Sequence, residues 1–106
     1  MFARNVSINL KPNTIADFTK VMAGEILSLL RKQKGFQGEI TFCVPGGREV
    51  LATSIWQQKE NAETYNNTTY PEVVKLMSKF IDGTPHVKNL EVISSTYEKT
   101  AAHVAV

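Results

Sequence analysis

The sequence predicts an α+β domain: a four-stranded antiparallel sheet with helices across one face, in the order strand, helix, strand, strand, helix, strand. Three observations carry that expectation. The stretch FARNVSINL alternates with the period of a half-buried strand. Two later segments repeat apolar side chains at steps of three and four. The runs GEITFCV and EVLATSIW flank a PGGR turn.

In the first strand Phe2, Val6, Ile8 and Leu10 fall on one side and Ala3, Asn5, Ser7 and Asn9 on the other, with Arg4 breaking the apolar parity. KPN turns the chain. Thr14 and Asp17 have the spacing of a capping box, so a helix is expected from there. Ile15, Phe18, Met22, Ile26, Leu29 and Leu30 form its apolar stripe, Lys20, Glu25, Arg31 and Lys32 reach water, and Gly35 ends it. The hairpin follows, its third strand closing on Trp56. A helical turn is expected over 60–65, and Thr69 with Glu72 repeats the cap pattern ahead of a second helix with Pro71 in its first turn. That helix carries Val73, Leu76, Met77, Phe80 and Ile81 on one face and is stopped by DGTP at 82–85. The run LEVISST at 90–96 is the expected fourth strand, and 97–106 the expected C-terminal extension, a tail or a strand lent to a neighbour.

A chain of 106 residues fits one compact domain. Twelve Lys and Arg against 10 Asp and Glu are scattered singly, which argues against nucleic acid as a partner. The single Cys43 excludes an internal disulfide and reads as a small buried filler, and no Cys/His cluster has metal-ligand spacing. Neither a signal peptide nor a membrane span is expected, so the reading is a cytoplasmic protein.

Helices on one face leave the other face of the sheet to be covered. Thr41 and Cys43, Thr53 and Ile55, and Ile93 and Ser95 alternate with their neighbours in a mixture too apolar for open water and too polar for a dry core. Such a surface suits a dimer with a ligand cavity.

The order of motifs resembles the antibiotic biosynthesis monooxygenase family of dimeric α/β barrels. The likeness rests on LKP before the first helix, KGFQG at 34–38 entering the second strand, SIW ending the third, the NAETY segment, and TPHVKNLEVISST at the close. It implies a ferredoxin-like domain, a homodimer, and cofactor-independent oxygenation of a small aromatic phenol or quinol, with no metal. In such chemistry the substrate supplies the electrons, and the protein supplies a dry cavity with donors that stabilise the phenolate. Asn5, Trp56 and Tyr65 are the catalytic candidates, because an amide, an indole N–H and a phenol can each donate to an oxyanion. Ser7, Thr41, Thr53 and His86 are the substrate-binding candidates.

Each of these residues also has a structural reading. Trp56 can serve as a packing anchor, Asn5 can make a cross-strand contact, Tyr65 can belong to a solvated turn, and His86 can hold the loop before the last strand. Ala52 and Ala62 stand near the places where the aromatic-polyketide members carry an asparagine and a tyrosine, which supports an alternative: a non-catalytic dimeric module that binds a small ligand. Heme degradation, known in a related branch, is a third reading. It lacks an axial histidine on the second helix, since His86 falls in a loop and His103 in the tail.

Overall fold

A computed structural model of the chain describes residues 1–96. The four strands are β1 (Phe2–Leu10), β2 (Phe36–Cys43), β3 (Glu49–Trp56) and β4 (Ile81–Glu91), in one antiparallel sheet of order β2-β3-β1-β4. Between β1 and β2 run α1 (Ile15–Val21), a π segment (Met22–Ile26) and α2 (Leu27–Arg31), while α3 (Lys59–Thr68) and α4 (Tyr70–Met77) lie between β3 and β4. This is the ferredoxin-like α+β arrangement the sequence predicts. No helix among the described residues is long and apolar enough to cross a membrane.

The apolar parity of β1 holds: Phe2, Val6, Ile8 and Leu10 are buried, and they form one cluster with Phe18, Ile26 and Leu30 of the first helical run and Val73 and Met77 of α4. Ile15 departs from its stripe and is exposed. The remaining stripe, Phe18, Met22, Ile26 and Leu30, steps by four each time. In an α-helix each such step overshoots a full turn by about 40°. The π segment, which is wound more loosely, takes up that drift and keeps Met22 and Ile26 facing the sheet.

Helix termini differ from the sequence reading. Thr14 does not cap α1; its hydroxyl donates to the Lys11 carbonyl at 2.7 Å, closing the KPN turn in which Asn13 adopts φ 62°. Thr69 likewise makes no side-chain cap for α4. The reciprocal cap occurs instead at α3, where the Gln58 backbone N–H donates to Asn61 Oδ1 at 3.1 Å. The helix over 59–68 also extends beyond both ends of the predicted turn.

The last strand is the larger correction. It begins at Ile81, inside the segment read as the end of a helix and a stop, and residues 92–96 lie beyond its end. Pairing with β1 runs from Leu10 and Ile81 to Phe2 and Glu91, so β4 follows β1 from end to end with a break only at Ile8. The turn-forming DGTP residues are absorbed as an irregularity between the Ser7–His86 and Asn9–Asp82 pairs, with Gly83 at φ 75°. Pro85 is tolerated because β4 is an edge strand. His86 therefore lies on a strand and not in a loop, and Cys43 is exposed rather than buried. The expected C-terminal extension lies outside the described residues.

Candidate functional site

Because β1, β3 and β2 are in register, Arg4 of β1 pairs with Ser54 of β3, which pairs with Glu39 of β2. Paired residues share a face of the sheet. All three point toward the helices, a polar row crossing an otherwise apolar layer. Arg4 is 2% exposed. Its Nη2 donates to Asn66 Oδ1 of α3 at 2.6 Å, and its guanidinium carbon lies 4.0 Å from the Tyr70 ring centre and 5.3 Å from that of Tyr65. No carboxylate forms an ion pair with it among the described residues; Arg48 with Asp82, at 3.5 Å, is a separate and exposed pair.

A buried guanidinium that lacks a counter-ion carries a desolvation cost of several kcal/mol. Two aromatic faces and one amide oxygen offset part of that cost. Burial lowers the Arg4 pKa, opposed by Tyr65 and Tyr70, and an arginine remains charged throughout the physiological range. Burial also drives the Tyr65 hydroxyl up to about 12 and raises Tyr70, with the nearby guanidinium opposing both shifts. The guanidinium acts on the buried Tyr70 hydroxyl as a hydrogen-bonding neighbour as well as over its ring, although no hydrogen bond of full geometry reaches that oxygen among the described residues.

Arg4, Glu39, Ser54, Tyr65 and Tyr70 line a cavity between sheet and helices whose other walls include Val6, Met22, Ile26, Ala52, Val73 and Met77. Its volume is about 30 Å³, room for a single water. Met22 and Met77 both line it, and methionine side chains re-pack at low cost, so these are the walls that an occupant larger than water has to displace. Glu39 is only partly buried; burial raises its pKa, and a hydrogen bond from Thr41 Oγ1 at 2.6 Å opposes that rise.

The sequence-predicted residues divide between the two faces of the sheet. Trp56 and Tyr65 come together on the helix side, ring centres 5.1 Å apart. Trp56 is fully buried behind Tyr65, with Phe36 packed edge-on at 5.6 Å, and its indole N–H donates to Ser54 Oγ at 2.9 Å. Thr41 is on the same side, beside Glu39. Asn5, Ser7, Thr53 and His86 are on the outer face. There the Asn5 amide donates to Thr53 Oγ1 at 2.8 Å, Ser7 pairs with His86, and Ser7 Oγ lies 3.4 Å from Glu49. Asn5 and Tyr65 thus do not share one enclosed space. The sequence reading missed Arg4 as the centre of the site and missed Glu39, Ser54 and Tyr70 as its neighbours. The available signal was Arg4 itself, a charge on the apolar parity of β1.

No protein-family model and no curated protein sequence matches the chain. Solved structures do. A monooxygenase of Streptomyces coelicolor, in complex with nanaomycin D, superposes with a TM-score of 0.76 at 15% identity, over 91% of this chain and 90% of that one. A putative antibiotic biosynthesis monooxygenase of Bordetella bronchiseptica gives 0.74 at 18% identity, over 88% and 97%. SnoaB, a cofactor-independent oxygenase of Streptomyces nogalater, gives 0.75 at 10% identity, over 92% and 97%. At such identities the likeness is one of architecture, and this chain has the fold of the antibiotic biosynthesis monooxygenases.

Proposed function

We propose that the protein is a cofactor-independent monooxygenase whose substrate, a small aromatic phenol or quinol, binds in the helix-side cavity with its developing negative charge facing Arg4. The observation that carries this reading is a buried guanidinium with no carboxylate partner among the described residues, lining an apolar space. Such a group stabilises an anion strongly because little water competes for it. Loss of the hydroxyl proton makes the ring electron-rich enough to reduce oxygen. One electron passes from the phenolate to O2, and the ring radical and superoxide combine in a C–O bond. The peroxide takes up the proton released earlier, and the hydroperoxide loses water by breaking its O–O bond and the C–H bond of the same carbon, leaving a carbonyl. Tyr65 and Tyr70 stay protonated and present hydroxyls to the cavity, while Trp56 holds Tyr65 in place.

The same reading includes a homodimer. Ile40, Phe42 and Leu90 are 44%, 52% and 45% exposed on the outer face of the sheet, beside the half-buried Leu51 and Ile55. An apolar sheet face of this kind is covered by a second copy in the dimeric barrel the sequence implies.

Oxygen consumption with a panel of quinols tests the activity in wild type, Arg4→Met and Asn5→Ala. Loss of turnover in Arg4→Met supports the helix-side site. Loss confined to Asn5→Ala moves the chemistry to the outer face, inside the dimer. A second reading, a dimeric small-ligand module without catalysis, is favoured by the alanines: Ala52 lines the cavity and Ala62 is buried, and neither offers a polar group to a reacting substrate. Binding of a phenol with no oxygen uptake from any substrate is its signature.

A further inference from the structure

We propose that Glu39, which lines the same cavity as Arg4, is the proton acceptor for the substrate hydroxyl. This rests on the phenol reading above and assigns a residue to its first step.

The geometry comes from the sheet. Glu39, Ser54 and Arg4 occupy one row on three neighbouring strands, so two strand spacings, about 10 Å, separate the backbones that carry the two charges. Carboxylate and guanidinium line one cavity without forming an ion pair. Thr41 Oγ1 donates to Glu39 Oε2, which leaves Oε1 as an acceptor.

The other polar groups around the cavity are unsuited to take a proton near neutral pH. Arg4 has no acceptor. Ser54 Oγ accepts the Trp56 N–H and lies 3.4 Å from the Arg4 carbonyl. Tyr65, facing from α3, keeps its proton to about pH 12, and Tyr70, facing from α4, is shifted in the same direction. The first helical run contributes only Met22, Ile26 and Leu30. Glu39 alone among these lining groups titrates from below, and its upward shift makes it a better base than an exposed carboxylate.

In the step, the substrate O–H bond breaks and a new O–H bond forms on Glu39. The electron pair stays on the substrate oxygen and spreads into the ring. One negative charge thereby moves from the carboxylate to a ring that reaches toward Arg4, so the cation stabilises the product of the transfer more than its start.

Glu39→Gln preserves shape and removes the base. Steady-state oxygen uptake with a quinol is followed from pH 5 to 9 in wild type, Glu39→Gln and Glu39→Asp, alongside the absorbance of bound 4-nitrophenol. The expected result is a fall in kcat of about 100-fold or more for Glu39→Gln. KM changes little, the acidic limb of the profile disappears, and Glu39→Asp recovers part of the rate. If wild type turns over and Glu39→Gln keeps both its rate and its acidic limb, Glu39 is not the acceptor, while the monooxygenase reading survives. If wild type consumes no oxygen, that reading fails and the nitrophenol decides separately. A bound phenolate spectrum in wild type that reverts to phenol in Glu39→Gln upholds the acceptor, and identical spectra overturn it.

Discussion

Arg4 and Tyr65 carry the sharpest consequences for single residues. Replacing a buried charge that has no counter-ion among the described residues with an apolar side chain of similar length removes a desolvation cost, and Asn66, its hydrogen-bond partner, is exposed and can turn to water. Arg4→Met is therefore expected to melt at or above the wild-type temperature while losing quinol oxidation, a separation that calorimetry and oxygen uptake measure together. A lower melting temperature shows that the aromatic contacts outweigh desolvation. For Tyr65 the folded pKa of about 12 lies above its ordinary 10.0, so the folded state holds this proton where the unfolded state has lost it. The stabilisation is complete below pH 10, falls as pH rises through about 12, and amounts to roughly 2–3 kcal/mol at most. Tyr65→Phe should flatten the loss of stability between pH 10 and 12 in thermal melts. Much of this was open to sequence reasoning: the parity of β1 marks Arg4 as anomalous, yet parity cannot say that Tyr70 lies over its guanidinium.

Among elements, the hairpin and the apolar stripes are legible because they depend on neighbours a few positions away. The predicted last strand was misplaced for the opposite reason. DGTP reads locally as a stop, but most of the nine-residue β1 edge would be left unpaired, and pairing prevails with Gly83 in the positive-φ region. Two of the positive-φ glycines, Gly83 and Gly35, should respond differently to alanine. At Gly83, φ 75°, an added Cβ meets open space, so Gly83→Ala costs about 1 kcal/mol from backbone strain alone. At Gly35, φ 81°, the Cβ runs into the Asn61 side chain that caps Gln58, so Gly35→Ala costs about 2–4 kcal/mol. Urea denaturation of both variants checks the order, and equal costs would mean that Asn61 swings aside freely. The π segment belongs to this scale too: a spacing of four repeated three times is visible in the sequence, but whether a helix drifts or loosens depends on the sheet beneath it.

At the scale of the whole molecule, the outer face of the sheet sets the assembly prediction. Phe42→Glu places a charge amid Ile40, Leu51 and their neighbours without touching the buried layer, since Phe42 is 52% exposed. Wild type is expected to sediment as a dimer at micromolar concentration and Phe42→Glu as a folded monomer; a monomeric wild type removes the dimer from the proposed function. By itself the sequence determined the kinds and order of the elements and which side of each is apolar, because period and turn chemistry act over a few residues. Only the tertiary structure decided that Arg4, Glu39, Tyr65 and Tyr70 line one cavity while Asn5 faces away from it. Strand register and the seating of helices on the sheet are settled by contacts between residues far apart in the chain, and no local pattern records them.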